Sequence, residues 1–432
     1  MTGALDSIAA RLCAVDPGQA ARDLADQSIL DTAACIMAGW QTPQRRAVSA
    51  MLERSGNRGA GARALLLGTA AHALDYDDFE QPGSTHPSAV LVPAILAVAA
   101  SEEVTRAGAE AAYVAGYEVI LSLGLALGYG HYMAGWHATG TLGLIGAAGT
   151  AAHLLGLDRA ATVTALSLAM TKAAGLKVQF GADAKAAHAG LAARGGVDAA
   201  YLAAAGLGAA PDAFDAPKGF AALYAPGPAS APPLASILDH PPYRKLSPAC
   251  GYTLRAIEAA CEITQQPGFA AAAIEAVEIE IAEPYHDVAG IAAPATGHEA
   301  RFSVTWCVAC ALTDGQVGLG HFTDQALSRP DLRALERRIR VQRYALPDGA
   351  GDVSPEAPER VTVHLMDGRR LHAACAVQKG GPGRPLDPAD LMAKLADCGM
   401  TRAVADSFLA HPGTSGFSGA QILPPAIVAA LP

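Results

Sequence analysis

From its N-terminus to about residue 240 the chain carries apolar residues at helical spacing, in segments rich in alanine and glycine and almost without strand signals. Small side chains let helix axes approach closely, so a run of such segments constrains this part of the chain to one tightly packed helical domain. Between Asp23 and Trp40, residues Leu24, Ile29, Leu30, Ala33, Ile36 and Met37 trace one helical face. Segments at 60–75, 88–101, 105–127, 139–155 and 186–206 follow the same pattern. The character changes after the proline-rich stretch Pro226–Pro233 and the pair Pro241-Pro242. Beyond it Val277–Ile281 alternates strictly, Arg338–Tyr344 is compatible with a strand, and Val361–Leu365 and Leu371–Val377 flank Asp367-Gly368, a hairpin signal. Helical segments near 251–264, 302–313 and 388–398 are interleaved with them. The expected fold is mainly α, with a large all-helical domain over 1–240, completed by 400–432, and a smaller α+β domain over 241–399.

With 432 residues, 51% of them hydrophobic and 17% charged, the chain has the material for two buried cores and a subunit interface. Its formal net charge of −10 disfavours nucleic acid and anionic membranes as partners, because no excess of Lys and Arg exists to neutralise phosphates. An acidic ligand must then be held by local cations. Residues Met1–Asp6 lack a basic, then apolar, leader pattern, so the cytoplasm is the expected compartment. The apolar window 89–100 is short for a membrane span, and 138–157 carries His153, threonines and glycines that suit a packed helix. The eight cysteines show no paired spacing, and the one Cys-x-x-Cys, Cys307 to Cys310, lies in an apolar segment, so buried free thiols are expected. Gly380-Gly-Pro-Gly lacks the Lys-Ser/Thr of a phosphate cradle, and Gly140, Gly143 and Gly146 fit close helix packing better than dinucleotide binding.

Three segments stand out as chemistry. In Asp75-Tyr-Asp-Asp78, carboxylates close an apolar helix, where the dipole is unfavourable to them; a nearby histidine or lysine is the expected compensation, a solvated helix end the plainer reading. His86 precedes Pro87 and a helix start, a position suited to an anion, and Asp75 is expected to orient or polarise it. In Gly130–Gly143, His131, Tyr132 and His137 again precede a helix start and are able to bind a carboxylate and exchange a proton with it. His131 and His137 are six apart, not the i, i+4 spacing of a helical zinc pair, so no metal is expected. Lys185 and His188 share a helix face if the helix begins near Asp183; a buried lysine there would approach general-base range, an exposed one is an ordinary surface charge. Lys245 and Cys250 lie at the domain junction, where a cation and a thiol either face a cleft or are simply buried.

Taken in order, Ala73–Asp78 with His86-Pro87, Gly135-Trp-His137 with Thr139–Gly143, Leu154–Asp158, Lys185 with His188-Ala-Gly, Lys245 with Pro248–Cys250, and Phe302-Ser303 with Asp314-Gly315 resemble the MmgE/PrpD family over nearly the whole chain. The resemblance implies a homodimeric enzyme free of metal and cofactor, with a helical domain, an α+β lid and the substrate between them. Members include 2-methylcitrate dehydratase, cis-aconitate decarboxylase and iminodisuccinate epimerase, all acting on small polycarboxylates. Carried over by position, Asp75, His86, His137 and Lys185 match pocket residues of the decarboxylase branch, and Lys245 matches a lysine of the family motif. Phe79 stands where that branch has threonine, and Cys250 and Leu254 stand where histidines occur. The run Gly130–His137 and Cys250 look most like the epimerase branch, in which Lys185 opposite Tyr132 or Cys250 supplies the two proton carriers. Lys185, His137, Tyr132, Cys250 and Asp75 are thus the expected catalytic groups, and His86, His188, Lys245 and Phe79 the expected substrate contacts. A lyase is the alternative reaction, and a non-catalytic helical binding protein the alternative class.

Overall fold

The computed structural model describes residues 3–432 apart from Pro226, Pro228, His411, Pro412 and Thr414, so two prolines of the proline-rich stretch lie outside the described residues. Two compact units emerge. One comprises Met1–Gln179, Asp183–Pro242 and Leu391–Pro432; the other comprises Phe180–Ala182 and Tyr243–Asp390.

The first unit is built on helices α1 (Gln19–Gly39), α2 (Ala60–His72), α3 (Ser88–Ala99), α4 (Arg106–Leu127), α5 (Ala138–Leu154) and α6 (Ala184–Ala204). Each coincides with a segment of helical periodicity. Helix α3 is apolar on every side, and Ser88 to Val98 are buried accordingly. Close packing rests on missing side chains. A Cβ on Gly68 of α2 would lie 2.8 Å from Gly190 Cα of α6, and one on Gly190 would lie 2.3 Å from the Leu65 carbonyl oxygen. A Cβ on Gly140 would sit 2.2 Å from the Ala174 carbonyl oxygen, and one on Gly146 2.5 Å from Ile120, so this glycine series serves packing. Among the described residues α4 is the one helix long and apolar enough to cross a membrane, and 94% of its apolar window is buried inside the protein. That surface is already covered by protein.

In the second unit β1 (Ile274–Ala282), β2 (Ile339–Tyr344), β3 (Glu359–Leu365) and β4 (Arg370–Cys375) form a sheet in the order β2-β1-β3-β4. Strand β1 runs parallel to β2 and antiparallel to β3, with Val277 opposite both Ile339 and Val363. The β3–β4 hairpin turns at Asp367-Gly368, where Gly368 takes φ 86°, a conformation that a side chain would resist. Helices α7 (Leu254–Thr264) and α8 (Val304–Asp314) also belong to this unit. Arg255 and Glu359 are both fully buried and pair at 2.6 Å. Cys307 and Cys310 are buried free thiols. The short segment Phe180–Ala182 joins this unit through ring contact of Phe180 with Phe302 and a 2.9 Å contact of His298 Nε2 with the Ala182 carbonyl oxygen. No periodic pattern marks so brief a segment. The chain returns to the first unit at Leu391, within helix α9 (Pro388–Asp397), rather than near residue 400. The reason is Lys394, whose buried ammonium lies 2.7 Å from Asp31 Oδ1 and donates to the Tyr76 carbonyl oxygen at 2.8 Å.

Candidate active site

Four pieces of the first unit supply one buried cluster. Helix α2 ends at His72, and the turn behind it carries Asp75, Tyr76 and Asp77. Asp75 sits at φ 52°, in the left-handed region that aspartate tolerates better than most residues, at a cost of order 1 kcal/mol or more. The loop that follows is fixed by Glu80, whose carboxylate accepts bonds from the Gly83 and Thr85 main-chain nitrogens and from the Thr85 hydroxyl. Asp78 accepts from the Ser88 main-chain nitrogen at the start of α3, so it stabilises that helix end. His86 is thereby delivered beside α3, and its main-chain nitrogen donates to Thr139 Oγ1 of α5 at 3.0 Å. His137 occupies the N-cap position of α5, while Lys185 and His188 lie on the first turns of α6.

Lys185 Nζ donates to Asp75 Oδ2 at 2.7 Å, and both side chains are almost wholly buried. The other oxygen of Asp75 is 3.9 Å from His86 Nε2. Asp77 Oδ2 lies 2.8 Å from His72 Nδ1 and 3.1 Å from His86 Nδ1. His86 therefore has Asp77, not Asp75, as its nearest carboxylate. His137 Nδ1 meets His188 Nδ1 at 2.9 Å, so one ring carries the shared proton on that nitrogen and the other accepts it. His72 stacks on His137 at 5.6 Å and meets His86 edge-on at 4.5 Å.

Burial sets the protonation of this cluster. It pushes the His137 imidazole well below its ordinary pKa, and His72, Lys185 and His188 push the same way. His188 is lowered to about 4 by burial, His72 and Lys185. Burial alone would raise Asp77, but the two adjacent imidazoles outweigh it and hold its carboxyl well below the usual range. The cluster thus contains the Lys185–Asp75 pair, a second carboxylate between His72 and His86, and, in His137 and His188, two imidazoles that burial keeps neutral.

A cavity of about 450 Å³ in the same unit is lined by Lys172, Gln179, His188 and Arg194 with Leu176 and Leu191. His188 forms part of its wall and links it to the cluster through His137. The volume suits a small molecule; Lys172 is a cation on its lining, while Arg194 is already paired with Asp198, which lines it too.

The sequence-expected residues divide between the units. Asp75, His86, His137, Lys185 and His188 come together, with the Phe79 ring 6.4 Å from that of His86. Tyr132 lies on a short helix, Tyr129–Met133, stacked on Tyr129 with the Lys177 ammonium 3.7 Å over its ring. Its neighbour His131 is a satisfied core histidine, contacting the Tyr224 carbonyl oxygen and Thr141 Oγ1. Lys245 and Cys250 belong to the second unit. Lys245 is fully buried and donates to the Ala249 carbonyl oxygen at 3.1 Å; Cys250, 5% exposed, precedes the turn Gly251–Thr253.

His72 and Asp77 escaped the sequence reading. A lone histidine at the end of an apolar helix reads as core, and its five-residue offset from Asp77 spans a helix end and a turn, where no period applies. The ligand atoms of His72, Asp77 and His86 lie within 4.8 Å of one another, close enough for a small divalent ion. His72 Nδ1 is hydrogen-bonded to Asp77 Oδ2 at 2.8 Å, and His86 Nδ1 faces the same oxygen at 3.1 Å as an ion-pair contact.

Comparison with protein families gives matches that run through both units. The MmgE/PrpD N-terminal domain matches residues 4–232, and the MmgE/PrpD C-terminal domain matches residues 247–407. No curated protein matches the chain in a sequence search. The chain therefore belongs to the MmgE/PrpD family, whose members are enzymes such as 2-methylcitrate dehydratase and related lyases and epimerases.

Proposed function

We propose that the protein catalyses proton transfer next to a carboxylate of a small di- or tricarboxylate, without cofactor, and that the reaction is an epimerisation of the iminodisuccinate type. The observation that carries this reading is the buried Lys185–Asp75 pair at 2.7 Å set among neutral imidazoles. Removing a proton beside a carboxylate builds negative charge on the acid group. A buried ammonium stabilises that charge, and a neutral imidazole takes the proton. Lys185, already paired with a carboxylate, fits the role of cation and proton donor, and His137 that of base. In epimerisation the proton leaves one face of the carbon and a proton returns to the other, so nothing is lost or gained.

Family membership supports a second reading, a lyase of the 2-methylcitrate dehydratase or cis-aconitate decarboxylase type, in which the same proton removal is followed by loss of water, or the proton is added as carbon dioxide leaves. Lys245 as carboxylate holder and Cys250 as second proton carrier remain part of the proposal, as does Tyr132. The reading extends to a cytoplasmic homodimer that binds neither nucleic acid nor membrane. Exposed Leu176, Val178 and Leu191 are the apolar surface that supports a subunit contact.

The deciding experiment incubates the protein in D₂O with a panel of di- and tricarboxylates and follows products by NMR and chiral chromatography. Label at an inverted stereocentre supports epimerisation; new olefinic signals or released carbon dioxide support a lyase. Silence across the panel rejects both. Cys250→Ser refines the answer, since it raises the side-chain pKa at nearly constant volume. Exchange lost on one face only marks Cys250 as a proton carrier, whereas unchanged exchange on both faces removes it from the mechanism.

A further inference from the structure

Asp75 and Asp77 turn their carboxylates into the cluster, and Tyr76 between them is gripped from elsewhere. Its carbonyl oxygen, in the peptide that leads to Asp77, accepts a 2.8 Å bond from the Lys394 ammonium, which also lies 4.7 Å from the centre of its ring. Lys394 comes 318 residues later in the chain, on α9, and its side chain is wholly buried. Asp31 of α1 makes that burial tolerable, with carboxylate oxygens 2.7 and 2.9 Å from the ammonium. Burial alone would lower the Lys394 pKa, but the charge of Asp31 outweighs it and holds the pKa above its ordinary value, so the side chain stays a cation.

The turn so gripped has reason to relax. Asp75 holds a left-handed φ of 52°, and both carboxylates face the one His86 ring, so like charges crowd a short stretch of main chain. A bond from a charged donor is stronger than a neutral one, and this one fixes the peptide plane from which Asp77 departs. Stability alone does not call for a buried ion pair here, since apolar side chains of like volume often serve as well. Apolar side chains would give Tyr76 no donor. We propose that Lys394 is a positioning residue of the active site, whose bond to the Tyr76 carbonyl holds the turn after α2 in the conformation that aims Asp75 at Lys185 and Asp77 at His72. This rests on reading the cluster as the reacting centre. Lys394 acts through the main chain, so its loss should slow turnover and leave substrate binding nearly intact. Asp31 has the separate task of keeping the ammonium charged.

The test compares two full-length variants, Lys394→Met and Asp31→Asn. Each removes one member of the buried pair, so each should lower Tm by a similar amount. Only the first removes the donor to Tyr76; in the second the lysine still reaches that carbonyl. In the proton-exchange assay Lys394→Met should lose roughly 100-fold in kcat, the scale of a misplacement of about 1 Å, with KM changed less than about threefold. Asp31→Asn should keep kcat within about threefold of the wild type. Amide hydrogen–deuterium exchange, read by mass spectrometry, should be about tenfold faster over residues 73–79 in Lys394→Met than in Asp31→Asn, while α5 exchanges alike in both. Equal kcat in the two variants, or equal exchange over residues 73–79, overturns the proposal and leaves an ordinary structural ion pair. If Lys394→Met fails to fold, the double variant Asp31→Asn/Lys394→Met, which leaves neither charge of the pair buried, takes its place in the same comparison. The exchange measurement needs no substrate, so it stands or falls separately from the reaction assigned above.

Discussion

Lys185 is a charge placed where solvent cannot reach it, and Asp75 is the partner that makes the burial tolerable. Removing one member of a buried pair costs about 3–5 kcal/mol because the other is left uncompensated. Lys185→Ala should therefore both melt earlier and lose activity, which confounds the two effects. Lys185→Arg keeps a cation beside Asp75 and separates them: its Tm should stay near that of the wild type while turnover falls about a hundredfold or more, the usual contribution of an acid–base group. His137→Ala should lose a similar factor, because the imidazole at the start of α5, which burial keeps neutral, is the proposed base. Either variant retaining more than about a third of the wild-type rate at normal Tm removes its residue from the mechanism. The neutrality of these rings also has a stability consequence. His188 titrates near 4 when folded and near 6.5 when unfolded, so below pH 6.5 the unfolded chain binds the extra proton. Folding stability from this group is intact above pH 6.5 and declines as pH falls towards 4. Asp26 and Glu359, raised mainly by burial to about 6 and about 7, work in the opposite direction, so the comparison must be with His188→Gln, which shares them. The Tm of the wild type minus that of His188→Gln should shrink between pH 7.5 and pH 5; a constant difference contradicts the neutral assignment. At this scale Asp75, His86, His137, Lys185 and His188, which the structure brings together, were marked in the sequence by helix ends and an i, i+3 pair. The sequence did not reveal the Asp77 bridge, since adjacent acids in a turn cannot be ranked without the backbone that aims them.

Helix α2 brings Asp75 and Asp77, and helix α6 brings Lys185 and His188, so the site depends on how closely those two helices lie. Gly68 and Gly190 set that distance. Gly190→Ala places a methyl group 2.3 Å from the Leu65 carbonyl oxygen and 2.4 Å from Thr69 Oγ1, and neither main chain nor a buried hydroxyl yields cheaply. Overpacking of this kind costs roughly 1–3 kcal/mol. The expected outcome is a Tm lower by several degrees and a loss of turnover beyond what Gly149→Ala produces, since Gly149 faces the flexible Leu12 and Val119 side chains away from the cluster's two carrier helices. Equal turnover in the two variants would show that α2–α6 spacing does not control the site. The helices themselves were legible from period and composition, as was the β3–β4 hairpin from Asp367-Gly368. The excursion of Phe180–Ala182 and the return at Leu391 were not, because both are decided by long-range contacts: the Phe180–Phe302 ring pair for one, and Lys394 with Asp31, 363 residues away, for the other.

For the molecule as a whole, the match establishes the family and leaves the class of enzyme and the reaction to be assigned by experiment. A hydrogen-bonded rather than metal-centred cluster predicts that proton-exchange activity survives prolonged treatment with EDTA; loss on chelation, reversed by a divalent ion, would reassign His72, Asp77 and His86 as ligands. The account's central claim is that the buried cluster moves a proton on a carbon next to a carboxylate. It is tested most directly by measuring deuterium uptake from D₂O into a panel of di- and tricarboxylates, with wild-type protein and Lys185→Arg side by side. The account predicts uptake into at least one compound with the wild type, and uptake about a hundredfold slower or worse with a normally melting variant. No uptake into any compound, or equal uptake by both proteins, would contradict it.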